Sequence, residues 1–322
     1  MDLQHVRYFV AVFDHGSVHA AASAVGVAQP TISQALRSLE REFKVPLFYR
    51  IGRGMVPTSA GYAFVGPARR MLRDIVTASG AVPDAEGNLR GRVDIRAHPA
   101  VSTGLLPTIV AEYHRRHPMV RVTIATMYDE TDATTLLRNA GCEIVVAHLP
   151  LAHGEAETAD RAAAGAGGFQ TLELGVQEYV LALPPEPGSP PLAGLPWEDL
   201  DEPMVVVPQP AVHADRIFTA LSPRQQVRRP AVVLESREAR LAFARAGVAP
   251  VWLERSMTDL ALDQGVRVRT IEPPLPGPFG LVFDAESLSP AAAAFVRVAA
   301  QVADTPGTPD ATSRNAAAPG DT

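Results

Sequence analysis

Residues 17–40, SVHAAASAVGVAQPTISQALRSLE, predict two short helices joined by a tight turn. Ser17 can cap the first helix, and Gly26 ends it. Pro30 stands at the start of the second helix, where the missing proline N–H loses no hydrogen bond. The alanines between Ser17 and Gly26 let the two helix axes approach closely, as a helix-turn-helix requires.

The second helix is predicted to have an apolar inner face and a polar outer face. Ile32, Leu36 and Leu39 recur at helical spacing and should face inward. Glutamine can bond adenine, arginine can bond guanine, and serine or threonine can bond phosphate, so the outer face suits DNA. The predicted DNA-facing residues are Ser17, Ala28, Gln29, Pro30, Thr31, Ser33, Gln34 and Arg37. An ordinary amphipathic surface helix would show the same polar face, and this alternative stays open here.

The flanking segments support the DNA interpretation. Residues 45–61, VPLFYRIGRGMVPTSAG, predict a β-hairpin or wing with Arg50 and Arg53 at its tip, placed to reach flanking phosphates. Thr58 and Ser59 then cap a long helix to about residue 80, in which Gly66-Pro67 is a candidate kink. Three arginines, at positions 69, 70 and 73, are predicted to lie opposite the apolar stripe of this helix.

Charge is unevenly distributed along the chain. Residues 1–73 hold nine Arg or Lys against four Asp or Glu, a net of +5, and the remainder holds twenty against thirty-one, a net of −11. A basic head on an acidic body indicates that only the head meets a polyanion. No apolar run is long enough to span a bilayer, and no basic leader precedes an apolar stretch, so we expect a cytoplasmic protein without a membrane partner.

The first 66 residues resemble the N-terminal domain of LysR-type transcriptional regulators. The likeness is carried by LxxxRYFVAV, then GSVHAAASAVGVAQPTISQALRSLE, then LFYRIGRGMVPTSAG. The family usually has Ala or Ser at the position of Thr31 and Arg at the position of Gln34. The resemblance implies that the long helix pairs with its copy in a homodimer or homotetramer. It also implies double-stranded operator DNA as a partner, with half-sites about 34 Å apart, and RNA polymerase as a further partner.

From Gly91 on, short β-like runs alternate with helices, which predicts two α/β lobes. Residues 92–97, 120–127 and 143–149 are predicted strands of the first lobe, and residues 178–184, 204–210, 232–236 and 249–254 are predicted strands of the second. Residues 266–284 are predicted as a return strand pair, with helices near 213–221, 236–246 and 290–303. This part resembles the family's effector-binding domain, itself similar to bacterial solute-binding proteins.

The expected fold class is therefore α/β with an all-α winged helix-turn-helix N-terminal domain. The expected domains are a DNA-binding domain (1–58), a dimerisation helix and hinge (59–90), a two-lobed effector domain (91–303) and a disordered tail (304–322).

Ligands of open parallel sheets bind beyond the carboxyl ends of the strands. His98 follows the first strand and His148 the third, and the usual 2-1-3 strand order would bring them together. We hypothesise a small anionic effector bound by these histidines and by the residues at the strand-to-helix junctions of the two lobes. The predicted junction residues are Ser102, Thr103, Gln209 and His213. The alternative is that the histidines are partly exposed loop residues without a partner.

The sequence predicts no cofactor, no metal site and no enzymatic activity. His114 and His117 are helix neighbours, but Arg115 and Arg116 between them would repel a cation. Cys142, the single cysteine, allows no internal disulfide, and no Walker, G-x-S-x-G or zinc spacing occurs. The leading hypothesis is a ligand-responsive transcriptional regulator. The alternatives are a regulator without an effector, or a cytoplasmic small-molecule-binding protein or enzyme on the two-lobed fold.

Overall fold

A computed structural model describes residues 1–81, 89–151, 168–185, 195–196, 205–206, 231–234, 236, 239–272 and 277–305. Within these residues an N-terminal head is followed by a long helix and two α/β lobes. The winged helix-turn-helix and the two-lobed body predicted from the sequence are thus confirmed. No described helix is both long enough and apolar enough to cross a membrane.

Three helices and a two-stranded wing form the head. Its elements are α1 (Leu3–His15), α2 (Val18–Val25), α3 (Gln29–Phe43), β1 (Phe48–Ile51) and β2 (Gly54–Pro57). Ala21 and Ala22 of α2 are buried beside Ile32 of α3, which shows why the alanine run is needed. Gly26 ends α2 at a φ of 77°, a left-handed conformation that glycine adopts without steric cost.

Helix α4 (Ser59–Ala81) joins the head to the body. The Thr58 hydroxyl accepts a hydrogen bond from the Gly61 N–H at 3.0 Å and so caps the helix, whereas Ser59 lies inside it. Pro67 sits within α4 and does not end it. The ring of Phe9 in α1 lies 4.9 Å from that of Phe64, so head and helix share one core.

The first lobe is a five-stranded sheet in the order β4-β3-β5-β13-β6. Its elements are β3 (Gly91–Ala97), α5 (Leu105–Arg116), β4 (Val120–Thr126), α6 (Ala133–Arg138), β5 (Ile144–His148), β6 (Gln170–Gln177), β13 (Gly277–Phe283) and α9 (Pro290–Ala303). Strands β4, β3 and β5 are parallel in the predicted 2-1-3 order, and β13 and β6 are antiparallel additions. Strand β6 was not predicted from the sequence.

The two faces of this sheet carry different helices. Ile144 and Val146 of β5 point into the core with α5 and α9, while Val145 and Ala147 point into the core with α6. Because side chains alternate along a strand, burial of both faces gives the continuous apolar run in the sequence of β5.

The second lobe is a mixed sheet in the order β11-β7-β12-β8, with a separate parallel pair of β9 and β10. Its elements are β7 (Tyr179–Leu183), β8 (Leu195–Pro196), β9 (Val205–Val206), β10 (Val232–Val233), α7 (Arg240–Arg245), β11 (Val251–Glu254), α8 (Thr258–Asp263) and β12 (Arg267–Glu272). Strand β7 pairs antiparallel with β11 and β12.

Two details of the predicted body are corrected. Strands β12 and β13 do not pair with each other: β12 joins the second lobe and β13 the first, because the chain crosses between lobes here. Helix α7 is shorter than the predicted 236–246 and covers Arg240–Arg245. The helix expected near 213–221, the segment 152–167 and the tail beyond residue 305 lie outside the described residues.

Candidate DNA interface and ligand cleft

The outer face of α3 is exposed as an interface would be. Thr31, Gln34 and Arg37 are exposed, one helical turn apart, while Ile32 and Leu39 on the inner face are fully buried. Ser33 is half-buried at the side of this face. The burial of the inner face fixes α3 in rotation, so the exposed stripe is presented as a unit.

The predicted DNA-facing residues at the starts of α2 and α3 differ in their contacts. The Ser17 hydroxyl accepts from the Ala20 N–H at 3.1 Å and is used as the cap of α2. Ala28 precedes α3 as its N-cap without a side-chain hydrogen bond, and Pro30 is in the first turn. Gln29 is exposed, and its side-chain amide lies 2.9 Å from Nδ1 of His19.

The wing is anchored to the helix-turn-helix. The Met55 N–H donates to the Gly16 carbonyl at 2.8 Å, which fixes β2 against the turn between α1 and α2. Arg53 lies in the turn of the hairpin, as predicted. Arg50 lies within β1 opposite Met55 and not at the tip, because the strand extends to Ile51. Both arginines are exposed.

Histidines 98 and 148 lie together at the carboxyl ends of β3 and β5. Their rings are 5.4 Å apart in an edge-to-face arrangement. Between them is Glu130, which lies in the 3₁₀ turn Glu130–Asp132 just before α6. The Glu130 carboxylate accepts from the His148 backbone N–H at 2.9 Å and lies 2.8 Å from His148 Nδ1. His98 Nδ1 is 3.9 Å from the same oxygen. The two histidines therefore lie together as predicted, and the buried Glu130 carboxylate lies between them.

Burial and hydrogen bonding act in opposite directions on Glu130. Desolvation by burial would raise the pKa of its carboxyl, but the hydrogen bond and charge of His148, with a further contribution from His98, lower it to about 2. Glu130 is therefore ionised at neutral pH although its side chain is only 5% exposed. The cluster of His98, Glu130 and His148, below called the His–Glu cluster, therefore places an ionised carboxylate between two imidazoles.

Residues of the second lobe contact the first at this level. The Tyr179 hydroxyl, at the start of β7, lies 3.2 Å from His148 Nε2. Thr103 Oγ1 lies 3.2 Å from Ser256 Oγ across the cleft. Arg255 and Glu178 form an ion pair beside the crossing from β6 to β7. A change in the angle between lobes would therefore alter the surroundings of His148 and Thr103 directly.

Ser102 and Thr103 do not open helix α5 as the sequence predicted. The chain first forms a 3₁₀ turn, Pro99–Val101, and α5 begins only at Leu105 after Gly104. The Ser102 hydroxyl donates to the His98 carbonyl at 2.9 Å and is engaged within the turn. Thr103 is exposed in the cleft. Gln209 and His213 lie outside the described residues.

Sequence reasoning missed Glu130 and Tyr179. Glu130 had an available signal, because it follows β4 and the 2-1-3 order places the carboxyl end of β4 beside that of β3. Tyr179 had none, since its position depends on how the second lobe sits on the first.

Cys142 and the histidines at the end of α5 lie outside the cleft. Cys142 is buried, and burial raises the pKa of its thiol to about 12, which disfavours the reactive thiolate. His114 is exposed on α5, and the His117 ring packs against Tyr113 with centroids 5.0 Å apart.

Helix α4 contacts the first lobe through its three arginines. Each arginine side chain donates a hydrogen bond of 2.9–3.2 Å to a backbone carbonyl at the end of α6. Arg70 donates to Arg138, Arg69 to Asn139 and Arg73 to Ala140. Arg69 also pairs with Asp14 of the head. These arginines, which were predicted to lie opposite the apolar stripe of the helix, bind the first lobe, and the Arg69 guanidinium also lies 5.5 Å from the centre of the Phe13 ring.

Comparison with known proteins adds two family matches. Residues 3–62 match the model of bacterial regulatory helix-turn-helix proteins of the lysR family, and residues 86–304 match the LysR substrate binding domain. The chain is 32% identical over 158 residues to the HTH-type transcriptional regulator ShiR of Corynebacterium glutamicum, a match that covers 49% of this chain and 54% of that protein. The chain thus spans about half the length of this curated relative.

Solved structures give a similar result for the fold. A full-length OxyR variant from Pseudomonas aeruginosa superposes with a TM-score of 0.66 at 18% identity, over 94% of each chain. CbnR in complex with its target DNA superposes with a TM-score of 0.53 at 22% identity, over 94% of this chain and 100% of that one. At these identities the likeness is one of fold.

Proposed function

Because the chain belongs to the LysR family of bacterial helix-turn-helix regulators, we propose that it is a sequence-specific, DNA-binding transcriptional regulator. It acts in the cytoplasm as a homodimer or homotetramer on a palindromic site, and RNA polymerase is a further partner. Residues 1–58 bind DNA, residues 59–90 form the dimerisation helix and hinge, residues 91–303 bind the effector and residues 304–322 form the tail.

The observation that carries the DNA proposal is the exposed stripe of α3. Thr31, Gln34 and Arg37 combine one hydroxyl, one amide and one guanidinium on a face held in place by a buried apolar face. These groups supply the donors and acceptors that major-groove base edges read. The exposed arginines of the wing, Arg50 and Arg53, supply phosphate contacts beside the groove.

A nuclease footprint on the DNA upstream of the protein's own gene tests this proposal. The expected result is protection of a dyad-symmetric site that is lost in Arg37→Ala and kept in Arg245→Ala, an exposed arginine of the second lobe. If neither this region nor any fragment from a genome-wide binding selection is protected, the DNA function is wrong.

We further propose that a small molecule binds between the lobes and changes the arrangement of the head domains. Thr103 and Ser256 face each other across the cleft, and His98, His148 and Ser102 lie at its base. Gln209 and His213 remain proposed contacts from the second lobe. Such a ligand must bind one arrangement of the subunits better than the other, since only differential affinity shifts an equilibrium.

The negative group of the anionic ligand predicted from the sequence should bind nearest Thr103. The ionised Glu130 at the base of the cleft repels an anion that approaches the two histidines. A thermal-shift screen with small carboxylic acids and neutral metabolites shows whether the protein binds an anionic or a neutral ligand. The footprint is then repeated with each compound that binds. A footprint that no compound changes would favour the alternative, a regulator without an effector.

A further inference from the structure

Three side chains that metal ions commonly use converge at the base of the cleft. His98 follows β3, Glu130 lies between β4 and α6, and His148 ends β5, so three separate segments contribute. One ligand atom from each lies within 4.8 Å of the other two. Two imidazoles and one carboxylate are the protein ligands of many zinc sites that keep a fourth position for water or another ligand.

The spacing of the ligand atoms suits a small divalent ion. Bonds of about 2.0–2.1 Å in a tetrahedral site place ligand atoms about 3.3 Å apart. Glu130 Oε1 lies 2.8 Å from His148 Nδ1 and 3.9 Å from His98 Nδ1, values on either side of that distance. An ion would therefore replace the contact between His148 Nδ1 and Glu130 with shifts of about half an ångström.

Neighbouring groups hold both imidazoles beside Glu130. The Ala100 N–H donates to His98 Nδ1 at 3.3 Å, and an ion at this nitrogen would have to replace that long hydrogen bond. On His148, Nδ1 faces Glu130 while Nε2 faces the Tyr179 hydroxyl at 3.2 Å. A metal-bound histidine usually donates its other ring N–H to such an oxygen, which holds the ring in place.

The packing around His148 keeps room for its ring. A Cβ on Gly277, the first residue of β13, would lie 3.3 Å from His148 Cδ2. Of the three side chains His148 is the most exposed, at 14%, against 8% for His98 and 5% for Glu130. The site is therefore reached from the side of His148, where the second lobe meets the first.

A plain histidine–carboxylate ion pair accounts for only part of this arrangement. Glu130 and His148 would satisfy each other without a second imidazole, yet His98 is held, buried, 5.4 Å from the His148 ring. By contrast, His114 and His117, at the end of α5, have two arginines between them and belong to no group of three metal-ligand side chains among the described residues.

We propose that His98, Glu130 and His148 form a binding site for a divalent transition-metal ion of the zinc type. The fourth ligand is water or a donor atom of the effector. The regulatory meaning of the site rests on the proposed function, since an ion here would contact the His148–Tyr179 junction of the two lobes. Metal binding itself is independent of DNA and is measured without it.

The test uses full-length protein freed of metal by a chelator and then titrated with Co²⁺ and Zn²⁺. We expect one saturable site per chain, with Co²⁺ absorption bands of the intensity that four-coordinate nitrogen and oxygen ligands give, and displacement by Zn²⁺. His148→Ala and Glu130→Gln should each weaken Zn²⁺ binding by more than about 100-fold, since loss of second contacts alone costs about 10- to 100-fold. Tyr179→Phe, which removes only such a second contact, should weaken it by about 10-fold.

The matched control is His114→Ala combined with His117→Ala, which removes two histidines from α5 and should leave the affinity unchanged. The wild-type Co²⁺ spectrum keeps the test valid if a cluster variant fails to fold. Absence of saturable binding, or equal binding in wild type and in folded His148→Ala, would overturn the metal site. A footprint on operator DNA made in parallel tests the proposed function, so a regulator that binds DNA but no metal is recognised as such.

Discussion

The salt dependence of DNA binding gives a quantitative test of the wing. Arg50 and Arg53 are exposed on each wing, and within the described residues neither has a carboxylate partner. If both meet phosphates, a dimer with two heads loses four phosphate contacts in the double variant Arg50→Ala/Arg53→Ala. The variant should still select the same site, because the stripe of α3 is untouched.

The magnitude follows from counterion release. Each phosphate contact contributes about 0.9 to the slope of the logarithm of the association constant against that of the salt concentration. Four lost contacts should therefore reduce the slope by about 3.6. Between 50 and 200 mM salt, wild-type affinity should fall by a factor about 10² greater than that of the variant.

Fluorescence anisotropy with a labelled operator fragment at four or five salt concentrations measures both slopes. The control is Arg121→Ala/Arg245→Ala, which removes two exposed arginines from the body and should keep the wild-type slope. An unchanged slope in the wing variant would show that the wing does not contact phosphate. A reduced slope in the control would show that the charge effect is not local.

Three further outcomes are expected. In metal-free protein the lowered pKa of Glu130 stabilises the fold above pH 4.5, the usual pKa of this group, and the stabilisation is lost as the pH falls toward 2. Urea titrations should therefore show that the free energy of unfolding of Glu130→Gln falls by about 3 kcal/mol less than that of the wild type over this range. A thiol reagent should label Cys142 only after unfolding, since the native thiol is buried; rapid labelling of the folded protein would contradict this burial. Gly66→Ala places a Cβ 2.9 Å from the Arg138 carbonyl and should raise hydrogen exchange in α6 without loss of helicity in α4; unchanged exchange would show that α4 and α6 do not pack as described.

Local patterns made the head predictable from its sequence. The alanines of α2, the glycine at position 26 and the proline at the start of α3 each act on their own neighbours, so no distant contact is needed to place them. The family matches over both parts of the chain confirm the resemblance that these residues carry. The DNA contacts and the domain boundaries stay predictions.

Prediction failed where a residue's position depends on distant parts of the chain. Strand β6 is an edge strand whose first four residues are exposed or half-buried, and its sequence lacks a continuous apolar run. Strand β13 joins a different sheet from β12, which no local signal encodes. Glu130 could have been found from strand order, but the contact of Tyr179 with His148 depends on the fit of two lobes.

Helix α6 places the His–Glu cluster close to the helix that carries the head. Glu130 lies in the turn that leads directly into α6, and the carbonyls at the other end of α6 accept hydrogen bonds from three arginines of α4. Arginines suit this position because the C-terminal carbonyls of a helix carry partial negative charge.

Six residues of regular helix separate the two contacts, so α6 is short enough to move as a rigid body. A ligand that displaces Glu130 must either strain the turn before α6 or move the helix. In the second case the three hydrogen bonds to α4 have to be remade at a new angle. A ligand at the base of the cleft thus has a direct structural route to the orientation of the heads, through α6 and not only through closure of the two lobes.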